Sequence, residues 1–411
     1  MTEPGLEYPK LRRLEPFPVK QQGQDFIALS DPEGYLRDAV LLSPVAFFVA
    51  SLCDGRRSVR DLQTAYVRRF VDIIPSSKIE EMLQQFDERL LLDTERYRSL
   101  KRRFDQEYLA LPNRPMTRAG MAYAAQPREL LDELSSILSL AGGKEELDGL
   151  PRSVIAPHID LARGARCYGE IYSLLFRSLR RRPPQERPLV VILGTCHGEM
   201  EGPFALTSKN YLTPLGLVET DLAAAVELAR QSDMDGLGDE LSHRSEHSIE
   251  IQMPFLVALF GGPENFTALP VTCNSFVASL ESRTSPQEEA EIAAFATALS
   301  GLVQSRQSVM LLASADLAHV GPRFGGRLPV DKPIMVSVSF KDRAMLAKVE
   351  EGDAEGFFAY VAAEGNARHI CGLSPIYTIT KVLAAPSRLV HYEQWVEPDG
   401  NSAVTFAALV S

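Results

Sequence analysis

Covalent and metal-ribbon scaffolding is scarce in this sequence. Its 411 residues hold only five cysteines, Cys53, Cys167, Cys196, Cys273 and Cys371, and no C-x-x-C pair. An odd, widely spaced set excludes a disulfide framework and a zinc ribbon, but leaves one cysteine free to join a site built from distant segments. Long apolar runs are missing too. None approaches the ~18 to 20 residues that span a bilayer, and the opening stretch MTEPGLEYPKLRRLEPFP lacks the apolar core of a signal peptide. No membrane association and a cytoplasmic location are therefore expected. Positive charge is in deficit: 43 Lys and Arg against 54 Asp and Glu give a net charge of −11. Such a chain is poorly suited to bind nucleic acid or an anionic membrane surface. The one basic stretch, RYRSLKRRF at 96–104, reads as a solvated helix end or linker.

Several catalytic signatures are also absent. There is no G-x-S-x-G elbow and no phosphate-binding G-x-x-x-x-G-K-[ST] loop. VILGTCHG carries two glycines without the G-x-G-x-x-G spacing, so a dinucleotide fold is unsupported. The SEHSIE segment lacks the H-E-x-x-H spacing of a zincin protease.

What remains is an ordinary globular composition, 45% hydrophobic and 24% charged, in a chain long enough to bury a sizeable core. Residues 1–95 read as a small, mainly helical domain. Ser43 and Pro44 open a helix that Gly55 stops. Ser58 and Asp61 stand at capping-box spacing before a second helix. SSKIEEMLQQFDERLLL gives a third, and LLLDTERY suggests a short wing. This winged-helix-like pattern resembles the small PqqD-like domains, which implies a peptide or partner protein as its ligand. The acids Glu80, Glu81, Asp87 and Glu88 on the third helix argue against DNA. Residues 96–115, basic and then rich in Pro and Asn, read as a linker, and QPRELLDELSSILSLAGG as a helix stopped by glycine.

From 151 onward short apolar runs alternate with helical stretches. SVIAP, PLVVILG, FTALPVT and SVMLLAS predict strands buried on both faces. Helices are expected near 161–180, 219–231, 247–260 and 286–305, and RLVHYEQWV and SAVTFAALV form a final pair. The expected fold is α/β, a mixed central sheet flanked by helices. Ligands of open α/β sheets bind at the carboxyl ends of strands. Those ends offer His158 and Asp160 after SVIAP, Cys196 and His197 after PLVVILG, and Asp316 and His319 in LLASADLAHVG. Any one histidine there reads as an ordinary loop residue; three together point to one site. Imidazole is the commonest transition-metal ligand, and Asp160 or Asp316 could fix its tautomer. Glu246, His247 and Glu250 cluster at a helix start, where the dipole accounts for the acids but not for His247. Cys371 precedes another helix, a position that favours thiolate.

TRAGMAYAAQPRELLDEL, IAPHIDLARGARCYGEIYSLL, VVILGTCHG, TPLGLVETD, EHSIEIQMPFL, SADLAHVG and ICGLSPI occur in the order and spacing of the Memo family. In bacteria and archaea that family is called AmmeMemoRadiSam system protein B, and the resemblance covers 116–411. It implies a fold like that of the class III extradiol dioxygenases. It also implies a metal site of His158, His197 and Cys371, holding iron or copper. Asp316, His319 and His247 would then be the acid, base or cavity residues, and Asp160, Cys196 and Glu246 would lie toward the substrate. The family name links such proteins to radical SAM partners. Its suggested activities span metal-dependent redox chemistry, metal handling and peptide binding, so both an oxidoreductase and a non-catalytic partner stay open. The sequence departs from the family pattern at PHIDLARG for PHAGY.YSG, GTCHG for GPSHH and LSPI for RHPI. These changes leave the three implied ligands in place.

Overall fold

A computed structural model describes residues 6–36 and 38–411. The chain forms two compact units, Met1–Ala110 and Leu111–Ser411.

The N-terminal unit begins with an antiparallel meander of Glu15–Gln21, Gln24–Ser30 and Val40–Leu42. Helices Pro44–Ser51, Val59–Phe70 and Ser76–Glu88 follow, and pack a separate core around Val49, Leu62, Ile79 and Leu83. Ser43 caps the first of these through the N–H of Ala46, and Ser58 and Asp61 form the expected capping box. In place of a wing, Leu92 makes an isolated bridge with Leu11. The stretch read as a linker is largely a helix, Glu95–Ala110, with Tyr97 and Tyr108 buried. Its charges pair along the helix, Lys101 with Asp105 at 3.2 Å and Arg103 with Glu107 at 3.7 Å, so a basic run proves compatible with helix. The breakers Pro112 and Asn113 come only after it ends.

The C-terminal unit is built on an eight-stranded mixed sheet. Four parallel strands form its centre in the spatial order Ser153–Ala156, Val309–Ser314, Leu189–Thr195, Thr267–Cys273. Phe204–Leu206 adds antiparallel at one edge. On the other side Ala403–Val410 runs antiparallel to Ser153–Ala156, and also pairs with Asp316–Val320 and with Arg388–Val396. Every residue of Leu189–Thr195 is buried, because both faces are covered. Leu189, Val191 and Leu193 belong to one core, with the helices Leu222–Gln231, Ala290–Ser305 and Leu373–Leu383. Val190 and Ile192 belong to the other, with Pro127–Leu138, Leu161–Arg181 and Met253–Phe260. That alternation is the period of two expected of a strand. The helix anticipated over 247–260 is broken into His247–Glu250 and Met253–Phe260. Pro254 has no N–H to donate to the carbonyl four residues back, so the first turn ends there. SADLAHVG does not simply trail off a strand: Asp316–Val320 is a strand itself, with a register shift between Asp316 and His319.

No helix among the described residues is long and apolar enough to cross a membrane.

Candidate metal centre

The parallel strands deliver their side chains at one end of the sheet. Ser153–Ala156 stops at Pro157, and the next residue, His158, is 2% exposed. The His158 backbone N–H donates to Oδ1 of Asp316 at 2.9 Å. Its ring Nδ1 lies 2.9 Å from the Ser314 carbonyl oxygen. A carbonyl only accepts, so Nδ1 carries a proton, and Nε2 is the nitrogen whose lone pair is freed when the ring gives up its second proton. That Nε2 is 3.3 Å from Sγ of Cys371. The acid that fixes this histidine is Asp316; Asp160 is engaged elsewhere.

His197 follows Leu189–Thr195 and is held by Glu246. The carboxylate accepts from the His197 N–H at 2.8 Å and faces its Nδ1 at 3.1 and 3.2 Å. Nδ1 therefore bears the proton here too, and Nε2 is turned out of this pairing. Glu246 also accepts from the Ser248 N–H at the start of the short helix, and Nδ1 of His247 is 3.3 Å away. The approach of that helix to the strand depends on Gly194, since a Cβ there would meet Ser248 Oγ and stand 2.5 Å from Ile249 Cγ1. The rings of His158, His197 and His247 are mutually close, with centroids 4.6 to 5.4 Å apart.

Cys371 arrives on a loop pinned from several sides. Asn366 and His369 both have positive φ, +50° each, and the Ile370 N–H donates to Asn366 Oδ1 at 2.7 Å. The Arg368 guanidinium is buried against Asp342 and Glu364. Thr195 Oγ1 donates to the Cys371 carbonyl at 3.0 Å, and the Gly372 N–H to the Asp316 carbonyl at 3.0 Å. Gly372 cannot carry a side chain at this spacing, since a Cβ would lie 2.5 Å from that same carbonyl.

The charges in this cluster support one another. Burial pushes the Cys371 thiol up, but the His158 and His319 charges and hydrogen bonds from His158 and His197 outweigh it and bring it down to about 5. Burial pushes His158 down, yet Asp316 and the Cys371 thiolate raise it to about 9. His197 is likewise raised against its burial, chiefly by Glu246. Glu246 stays well below the carboxylate range despite burial, because of His197 and His247. His247 goes the other way: burial, then the charge on His197, hold it well below the usual imidazole range.

Behind the ligands lies a buried polar frame, of which only Glu250 stands out in the sequence. Arg114 is fully buried and donates to the carbonyls of His243 at 2.7 Å and Glu246 at 2.6 Å, and to Glu250 Oε2 at 2.6 Å. Glu250 also accepts from Thr117, from the Arg118 N–H and from Tyr123 Oη. Gln252 Nε2 donates to the Pro157 carbonyl at 2.7 Å and to Ser314 Oγ at 2.6 Å. Ser314 Oγ donates in turn to the Ser248 carbonyl at 2.5 Å. Two strand ends and the short helix are thereby locked in register. Such polar residues look unremarkable along the chain, because their partners lie 60 or more residues away.

Of the residues singled out from sequence, His158, His197 and Cys371 come together, with donor atoms within 4.8 Å of one another. Asp316, Glu246 and His247 surround them. His319 presses its ring edge-on to Phe324 with centroids 5.0 Å apart, and its charge reaches Cys371. Asp160 caps the helix Leu161–Arg181 and pairs with Arg163 at 3.1 Å; none of its described partners belongs to the histidine cluster. Cys196 is buried, with its thiol 3.7 Å from the Gly198 carbonyl. The donor set fits a transition-metal ion: two imidazoles with fixed tautomers and a thiolate, each backed by a hydrogen-bonding partner. His197, Glu246 and His247 form a second grouping of possible ligands that shares His197.

Comparison with known proteins shows the family. The family model described as Memo-like protein matches residues 114–410. A MEMO1 family protein of Aquifex aeolicus is 27% identical over 398 residues, covering 96% of this chain and 98% of its own, so that likeness takes in the N-terminal unit as well. A MEMO1 family protein of Thermus thermophilus is 27% identical, over 80% of this chain and 90% of its own. The Protein memo-1 homolog of Caenorhabditis elegans is 26% identical, over 72% and 81%. With the family model spanning nearly all of the unit that carries the strand-end histidines and Cys371, this chain belongs to the Memo-like protein family.

Proposed function

We propose that the chain is a metal-dependent, oxidoreductase-like protein in which His158, His197 and Cys371 hold an iron or copper ion. The convergence of the three donors carries this reading: two Nε2 atoms made available by protonated Nδ1 atoms, beside a thiol already biased to thiolate. A bound iron or copper ion would supply redox and Lewis-acid chemistry. The softness of the thiolate favours copper(I) or a redox-tuned metal over the all-hard sites preferred by magnesium or calcium. The protein's own contribution is positional. Asp316 and the Ser314 carbonyl fix His158, Glu246 fixes His197, and Thr195 and Asp316 fix the Cys371 loop. His247, neutral and about a third exposed at its side chain (31%), is suited to accept or pass a proton at the rim of the site. His319 is similarly half-buried.

The alternative is a non-catalytic, metal-handling or ligand-binding partner protein. The same soft donor set favours it, because thiolate and imidazole donors also suit the transfer of copper(I). In that reading the N-terminal unit would recruit a peptide or a partner such as a radical SAM protein. Oxygen and reductant consumption by metal-loaded protein, with aromatic and thiol compounds offered as substrates, separates the two. Turnover supports the oxidoreductase. Stoichiometric metal transfer to a chelating acceptor without turnover supports the carrier.

A further inference from the structure

The segment leading into the C-terminal unit carries two arginines four residues apart, with very different surroundings. Arg114 spends its donors on three carbonyls and on Glu250. Arg118 is half-buried. Its backbone N–H takes the remaining capacity of Glu250 at 2.8 Å, and its Nη2 reaches the Ser245 carbonyl at 3.3 Å. Its Nε is buried and finds no acceptor among the described residues. No carboxylate among the described residues pairs with this guanidinium either. Glu250 is consumed by Arg114, Thr117 and Tyr123, and Glu246 by His197, His247 and Ser248. A buried donor without an acceptor is costly, more so when it belongs to a charged group.

The guanidinium sits beside the histidine cluster. Ser245, which it touches, is two residues before His247, and the Arg118 charge is among those felt by that ring. We propose that Arg118 recognises the carboxylate of a small organic acid bound beside His247, at the rim of the His158, His197 and Cys371 site. The terminal nitrogens of the guanidinium, Nη1 with Nη2, can meet the two oxygens of a carboxylate end-on, Nη1 having no acceptor among the described residues. A single negative charge fits better than the near-double charge of a phosphate ester, because the buried Glu246 carboxylate already places negative charge beside His247. The assignment deepens the reading of this cluster as a ligand site by naming the substrate class, and it rests on that reading for its location.

Benzoate and its neutral isostere benzamide test it by calorimetric titration of the full chain, with and without added copper or iron, and with metal content measured on the same samples. Benzoate is expected to bind and benzamide to bind far more weakly. Arg118→Gln should weaken benzoate on the order of 10- to 100-fold, with melting temperature and metal content unchanged. Arg118→Lys should restore part of the affinity by keeping the charge. Equal binding of benzoate and benzamide, wild-type benzoate affinity in Arg118→Gln, or no benzoate binding to the wild type would each overturn the proposal. Tighter binding of phenyl phosphate than of benzoate would overturn the carboxylate assignment. The two readings fail separately: protein that takes up no metal yet binds benzoate through Arg118 sinks the metal site alone, and metal-loaded protein blind to benzoate sinks this proposal alone.

Discussion

Nε2 of His158 stands 3.3 Å from Sγ of Cys371, although 213 residues separate them in the chain. This pair joins the end of a central parallel strand to the loop before the helix Leu373–Leu383, and it sets the electrostatics of the site. In the metal-free protein it is biased toward imidazolium and thiolate, with Cys371 at about 5 and His158 at about 9.

The first prediction concerns pH. Ultraviolet thiolate absorbance of metal-free protein, compared with Cys371→Ala, should titrate near pH 5, far below an ordinary thiol, and His158→Ala should move it upward. Between about pH 5 and 9 Cys371 is already deprotonated while His158 still holds its proton. Metal uptake must displace that proton, so affinity should rise with pH across this window. A pH-independent affinity, or a thiol titrating near 9 in the wild type, contradicts the coupling.

Glu246 acts through His197. Its carboxylate holds the ring by the backbone N–H and by Nδ1. Glu246→Gln keeps the shape but removes the charge. Partners of this kind are worth roughly 10- to 100-fold in metal affinity, so a loss in that range is expected by competition with a chelating dye. The nitrogen-15 NMR shifts of the His197 ring should also change. Unchanged affinity and unchanged shifts would show that Glu246 does not orient His197.

Arg114 is the test of the frame. Its pair with Glu250 is buried on both sides, with side chains 0% and 1% exposed. Breaking one partner of such a pair costs about 3 to 5 kcal/mol. Chemical denaturation should therefore show Arg114→Met destabilised by roughly that amount. Replacing both partners, Arg114→Met with Glu250→Leu, should recover part of the loss. A single substitution that costs under about 1 kcal/mol, the range of an exposed ion pair, would mean the frame contributes little.

Gly372 tests how closely the cysteine loop is fitted. A Cβ there would stand 2.5 Å from the Asp316 carbonyl and 2.6 Å from Ala315 Cβ, at the buried junction of two strands. Gly372→Ala should push the loop outward and weaken metal binding while the N-terminal unit melts as before. Wild-type metal affinity in this variant would show that the loop yields without consequence.

Much of this was legible in the sequence, and for identifiable reasons. The four central strands are apolar throughout because both faces are covered, and the residue just past each apolar run marks the carboxyl edge. That is why His158 and His197 could be picked from strand ends alone. Cys371 was harder, since its place depends on a loop held by Arg368, Asp342 and Thr195, and it was its resemblance to the family motif that singled it out. Short strands such as Asp316–Val320 escaped because five residues, D-L-A-H-V, are too few to show a strand's period and read equally as a loop. The helix Lys332–Glu350 escaped because V-S-V-S-F mimics a strand's alternation, while its helicity is set by the Asp331 cap and the residues it buries. Glu250 stood out only as an acid at a helix start, and Arg114, Gln252 and Ser314 gave no sign of their roles, because a buried hydrogen-bond network has no local signature.

The central claim is that His158, His197 and Cys371 bind one metal ion. Elemental analysis of the full chain, purified without added chelator and then reloaded with copper or iron, tests it against His158→Ala and Cys371→Ala. Close to one ion per wild-type chain is expected, with loss of most of it in each variant and the fold intact by circular dichroism. Wild-type metal content in both variants would contradict it.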